Sequence, residues 1–176
     1  MMKVICIGIL NQLFAIKPSQ AINLPTLNSI LPQAAIQELQ NGKLPLLRIK
    51  SLILKKGEFC HYADKTYLFQ QKKITYHYRK NHGVNFRITK RVSYHIGQGK
   101  SQPVEEEIPE YIPGYLYITN QRIIFSAKNK GFVKSLSHLT TMVEYSDGIS
   151  LQCDTKVYNF LLPSPHLAYQ ALSMLK

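Results

Sequence analysis

Apolar and polar residues alternate along much of this chain with the two-residue period of a half-buried strand. Val84, Phe86 and Ile88 alternate with Asn85, Arg87 and Thr89, and Val92, Tyr94 and Ile96 resume the pattern opposite Ser93 and His95. The phase slips at Lys90-Arg91, which predicts a turn or bulge there. Upstream, residues 46–58 alternate apolar with basic residues and turn at Gly57, and a further strand-like stretch runs from Thr66 to Lys80. Within it Lys72-Lys73 fits a turn as well as a strand. Residues 97–110, rich in Gly and Glu, read as a loop. From Gly114 to Phe125 two apolar runs face each other across Thr119-Asn120-Gln121, with Leu116, Ile118, Ile123 and Phe125 on the buried face and Tyr115, Tyr117, Arg122 and Ile124 on the other. Asp147-Gly148 and Asp154-Thr155 separate the last three apolar runs, and Asp-Gly between such runs is a strong hairpin signal.

Two stretches have helical spacing instead. In residues 29–41, Ile30, Ala34, Ile36 and Leu39 form one stripe, Asn28 or Ser29 supplies a cap, Pro32 falls in the first turn and Gly42 stops the helix. After Pro163, Ser164 caps a second helix, Pro165 suits its first position, and Leu167, Ala171, Met174 and Leu175 form its stripe. The predicted order is an apolar arm with a short helix over residues 1–45, then a mainly β domain over 46–176 that ends in a helix. Consecutive strands need a covering layer. Two packed sheets with the last helix closing one open end satisfy every element.

The run Gly114-Tyr115-Leu116-Tyr117-Ile118-Thr119-Asn120-Gln121-Arg122-Ile123-Ile124-Phe125 resembles the G-x-L-x-I-T-N-x-R-I-I-F ribbon of bacterial pleckstrin-homology-like (PH-like) and GRAM-like domains. The basic tip that follows, residues 136–141, Tyr145 to Ile149 and the C-terminal helix extend the likeness to Lys176. Residues 46–113 match by strand count, and 1–45 lie outside it. The resemblance implies a bent antiparallel β-sandwich or partial barrel of about seven strands capped by a C-terminal helix. Members of that superfold bind phosphoinositides, peptides or other subunits.

Charge changes the picture most. The chain has 22 Lys+Arg against 10 Asp+Glu, a formal net of +12, and such an excess concentrates anionic partners near the surface. The basic residues are not spread evenly. From Gln71 to Lys100 stand Lys72, Lys73, Arg79, Lys80, Arg87, Lys90, Arg91 and Lys100 with no acid among them, interleaved with Tyr76, Tyr78, Phe86 and Tyr94. Cations with aromatics hold phosphates and sit at a lipid interface or stack on bases. The candidate anion site is therefore Lys72, Lys73, Arg79, Lys80, Arg87, Lys90 and Arg91 with Tyr76 and Tyr78. The bland alternative is a solvated strand face with its aromatics turned inward. Lys128, Lys130 and Lys134 make a second basic tip, which either continues the patch or keeps a strand end in water. The glutamates of residues 105–110 could fold over the patch or serve another copy of the protein.

No nucleophile elbow, phosphate loop, paired carboxylates or H-E-x-x-H motif occurs, so a non-enzymatic module without cofactor or metal is expected. Glu58 with His61 can be imagined as an acid–base pair, but none of these motifs supports it. Cys6, Cys60 and Cys153 are too few and too scattered for a metal or redox motif and fit a reducing compartment. Residues 1–21 loosely resemble a secretory leader, interrupted by Asn11 and Gln12. The leading expectation is a cytoplasmic protein, peripheral to membrane, that engages an anionic lipid headgroup or an acidic protein. A structural module that builds a homo-oligomer through the N-terminal arm is the second reading. The third is nucleic-acid binding, for which the chain carries no recognition-helix or RNA-motif signature.

Overall fold

The structure, a computed structural model, describes the backbone of residues 24–89 and 92–176, and their side chains apart from residues 78–102 and 104. The leader-like stretch 1–21 and the turn at Lys90-Arg91 lie outside the described residues. Helix α1 spans Gln33–Gln40, and strands β1 (Cys60–Thr89) and β2 (Val92–Thr119) follow. Next come β3 (Arg122–Ser126), β4 (Gly131–Ser135), a 3₁₀ turn at Leu136–His138, β5 (Leu139–Glu144), β6 (Gly148–Cys153), β7 (Lys156–Leu161) and helix α2 (Pro165–Leu175).

The seven strands form one antiparallel sheet in the order β4-β3-β2-β1-β7-β6-β5. The two packed sheets expected from the sequence are thus one continuous sheet, open between β4 and β5. It bends strongly. Four strand-to-strand steps separate β4 from β7, roughly 19 Å in a flat sheet, yet the rings of Phe132 on β4 and Tyr158 on β7 lie 4.2 Å apart. Phe125 joins them, 5.6 Å from Phe132 and 5.8 Å from Phe160. Leu116, Ile118, Ile123, Ile149, Leu151 and Phe160 fill the concave side together with Leu39 of α1 and Ala168, Ala171 and Leu172 of α2. Helix α2 packs on α1, β5 and β6.

The β2–β3 ribbon pairs as its turn chemistry predicts, Leu116 opposite Phe125 and Ile118 opposite Ile123, with these four side chains buried in the core. Gly114 opens it because nothing larger fits. A Cβ there would lie 2.6 Å from the Ser126 carbonyl oxygen and 2.7 Å from the Phe125 ring. Gly114→Ala is expected to cost about 1–3 kcal/mol through overpacking, read as a lower urea midpoint at unchanged slope. Asp154 turns β6 into β7 at φ 56°, a left-handed conformation that Asp tolerates better than most residues.

Helix α1 begins later than its stripe suggests. Pro32 occupies the cap position, and no side chain caps the helix. Ser29 Oγ instead donates to Asp64 Oδ2 at 2.6 Å, and the Ile30 N–H donates to Asp64 Oδ1 at 2.8 Å. A buried carboxylate thereby anchors the lead-in to β1. At the other end Gly42 has φ 69°. Its N–H reaches the Leu39 carbonyl and the Lys43 N–H reaches that of Glu38, a Schellman stop.

Two sequence expectations are corrected. Residues 46–59 are not a strand. Leu47 makes a single bridge to Cys60, and Leu47, Ile49 and Leu52 lie as an irregular strap over Cys60, Ala63, Tyr117 and Ile124 on the convex side. Their alternation is real, but the backbone is held by side chains of the β2–β3 turn and not by a ladder. Residues 97–110 are not a loop, because β2 runs through them. Pairing with a long partner strand outweighs the weak strand propensity of Gly and Glu.

The chain forms two compact units, residues 24–70 with Tyr111–Lys176, and Gln71–Glu110. The second consists of the outer parts of β1 and β2, and none of its described side chains is fully buried.

Candidate functional site

The unit Gln71–Glu110 carries most of the predicted site on a two-stranded ribbon. Lys72 and Lys73 belong to β1, which settles the choice between turn and strand. Lys72 Nζ lies 3.9 Å from Glu110 Oε1, and Lys73 Nζ lies 3.4 Å from Glu107 Oε1. Tyr76 donates its hydroxyl to Glu106 Oε2 at 3.2 Å, and this hydrogen bond and the carboxylate charge raise the phenol pKa. Successive strand residues face opposite ways, so these pairs are distributed over both faces of the ribbon. Each exposed pair contributes at most about 1 kcal/mol. Their larger effect is on charge, because the glutamates balance the lysines at this end. From Arg79 to Lys100 no acid remains. Arg79, Lys80, Arg87 and Tyr78 are on β1 with side chains outside the described set, and Lys90 and Arg91 lie outside the described residues.

Lys128 and Lys130 are placed in the other unit, on the β3–β4 turn. Lys130 Nζ bonds Gln70 Oε1. Lys128 lines a groove of about 640 Å³ with Lys65, Thr66, Tyr67, Gly114 and Tyr115. Lys134 pairs with Asp154 at 3.4 Å.

The polar residues of the ribbon motif are structural. Glu58 is buried, with its side chain wholly inaccessible. Arg122 grips it with two bonds, Nε to Oε1 at 2.7 Å and Nη2 to Oε2 at 3.0 Å. Thr119 Oγ1 donates to Oε1 at 2.8 Å, and the Lys55 N–H donates to Oε2 at 2.8 Å. Arg122 Nη2 also reaches the Ile53 carbonyl, while Asn120 accepts from the Phe59 N–H and donates to the Gly57 carbonyl. Thr119, Asn120 and Arg122 thereby staple residues 53–59 to the β2–β3 turn. Burial alone would raise the Glu58 pKa, but the bonds from Arg122, Lys55 and Thr119 and the guanidinium charge outweigh it and hold the carboxylate below its ordinary 4.5.

His61 Nδ1 bonds the Pro45 carbonyl at 2.8 Å, while the Glu58 carboxylate is engaged by Arg122, Thr119 and the Lys55 N–H. Burial pushes the Cys60 thiol up to about 11 and raises Cys153 as well, which leaves both as protonated, poorly nucleophilic thiols at neutral pH. Among the described residues no three His, Cys, Asp or Glu side chains converge to hold a metal. Among them, too, no helix is long and apolar enough to cross a membrane.

The sequence reading missed two features. Glu58 is the acceptor for an arginine 64 residues away, and nothing local signals that. The apolar–basic alternation of residues 46–59 was visible, but as a strand, so the exposure of Leu46, Ile53 and Phe59 went unforeseen. No protein-family model matches this chain, and no curated protein or solved structure matches it either.

Proposed function

We propose that this chain is a non-enzymatic binding module of the PH-like class whose ribbon, Gln71–Glu110, docks on anionic lipid headgroups. The carrying observation is the distribution of charge on the ribbon. Lys72 and Lys73 are matched by Glu110 and Glu107, while the stretch from Arg79 to Lys100 has six Lys and Arg and no acid. On β1 the acid-free stretch Arg79–Thr89 has a contour length of about 35 Å at strand rise, so these cations span more than one headgroup. The meander order of the strands and the C-terminal helix on β5 and β6 support the PH-like assignment.

Each Lys or Arg near an anionic leaflet contributes about 1 kcal/mol. Sedimentation with phosphatidylcholine vesicles, with and without phosphatidylserine, tests the reading. Binding is expected only with the anionic lipid, to weaken with salt, and to fall by about two orders of magnitude in an Arg79→Ala, Lys80→Ala, Arg87→Ala triple variant. Equal sedimentation with both vesicles, or with neither at low salt, overturns it.

A second reading has one specific observation in its favour. A two-stranded antiparallel ribbon fits the major groove of B-DNA. Duplex binding whose logarithm falls steeply with the logarithm of salt, without vesicle binding, would select it.

A further inference from the structure

The strap over residues 46–59 presents apolar side chains to solvent while its backbone is tied down. Ile53 is 91% exposed, Leu46 68% and Phe59 51%. Mobility does not account for this exposure, because the strap is held at many points. The Leu47 N–H bonds the Cys60 carbonyl, the Leu52 N–H bonds the Ile49 carbonyl, and the Ile53 carbonyl accepts from the half-buried Arg122. The Gly57 carbonyl and the Phe59 N–H are both taken by Asn120. Leu46, Leu54 and Phe59 line one groove of about 680 Å³ with Arg48 and Lys50.

The solvent-exposed charges carried by the strap itself have one sign. Arg48, Lys50, Lys55 and Lys56 are exposed, and the single acid of the strap, Glu58, is buried and neutralised by Arg122. Glu38 lines the adjoining groove beside Leu46 and is the carboxylate that faces this region from α1. Preorganised apolar tips among cations complement a bilayer with anionic headgroups, where the tips enter the interface and the cations meet phosphates. A protein partner would leave four cations to be matched one by one, whereas a leaflet matches them wherever they fall.

We infer that the strap is an interfacial insertion site for an anionic bilayer, with Ile53 its most deeply seated residue. The inference rests on the anionic-bilayer reading of the function but uses none of the ribbon's residues. The chain contains no tryptophan, so the Ile53→Trp variant carries a single indole fluorophore, and the exposed site tolerates it. Val157→Trp, at a position 56% exposed on β7, serves as the control. With phosphatidylserine-containing vesicles the indole emission of Ile53→Trp is expected to shift to the blue and to be quenched by lipids brominated high on the acyl chain, while that of Val157→Trp does neither. Ile53→Asp is expected to weaken sedimentation about tenfold without changing the urea midpoint, since little of this side chain is buried in the free protein. Sedimentation of the Ile53→Trp protein with its indole still water-exposed overturns the insertion site and leaves the ribbon reading standing. Absence of sedimentation at low salt overturns both. A blue shift that grows with protein concentration and needs no vesicles identifies a second copy as the occupant and overturns the inference.

Discussion

Arg122→Ala is expected to lower the unfolding free energy by about 3–5 kcal/mol, the usual cost of removing one partner of a buried ion pair. The magnitude follows from what stays behind. The Glu58 side chain is inaccessible to solvent and loses two guanidinium bonds. The Ile53 carbonyl also loses its donor. Urea denaturation measures the change. A loss under about 1 kcal/mol, the range of an exposed pair, would mean that water reaches Glu58 and that the staple is weak. Replacing both partners, Glu58→Gln with Arg122→Met, is expected to recover much of the loss, because the cost lies in the stranded charge.

The same pair predicts a pH dependence. The folded-state pKa of Glu58 lies below its ordinary value, so the unfolded chain binds the proton more readily. The carboxylate therefore stabilises the fold fully above about pH 4.5, and that stability is lost as pH falls through the folded-state pKa. Glu58→Gln should flatten this part of the acid limb. An unchanged slope of the acid limb below about pH 5 in the variant would assign the acid sensitivity to other carboxylates.

Phe160→Ala is the second large effect, again about 3–5 kcal/mol. Phe160 is completely buried on β7, with Phe125 5.8 Å and Phe132 6.3 Å away. Phe125 and Phe132 come from the neighbouring strands β3 and β4, three and four steps from β7 in sheet order, so the cavity would open where the bent sheet meets itself. Phe160→Leu keeps part of the volume and is expected to cost clearly less. If both substitutions cost the same, the ring contacts across the bend carry no particular weight. Because β7 also pairs with β1 through Tyr67, Leu68 and Phe69, the loss should appear as one cooperative transition of the unit that holds the core.

How much of this was legible beforehand differs by element. The β2–β3 ribbon was, down to its buried face, because strand period and turn chemistry are local. So were the turn at Asp154-Thr155, the hairpin turn at Asp147 just before Gly148, and the C-terminal helix with Pro165 in its first turn. The stripe of that helix was only half right. Leu167 and Ala171 are buried as expected, but Ala168 and Leu172 are fully buried beside them and Met174 and Leu175 lie at the margin. The position of α2 against α1 decides which face is covered, and no spacing encodes it. The basic stretch was legible as composition. That Lys72 and Lys73 meet Glu110 and Glu107 required knowing that β1 and β2 are partners over so many residues.

Short-range chemistry sets the strand periods, the turns, the terminal helix and the excess of positive charge. The tertiary structure alone decided that one sheet bends until β4 meets β7, that residues 46–59 become a strap, and that Arg122 closes over Glu58. The division has a physical cause. A turn or a strand face is selected by neighbours a few residues apart, whereas a buried charge or an exposed isoleucine depends on which distant segment excludes water from it.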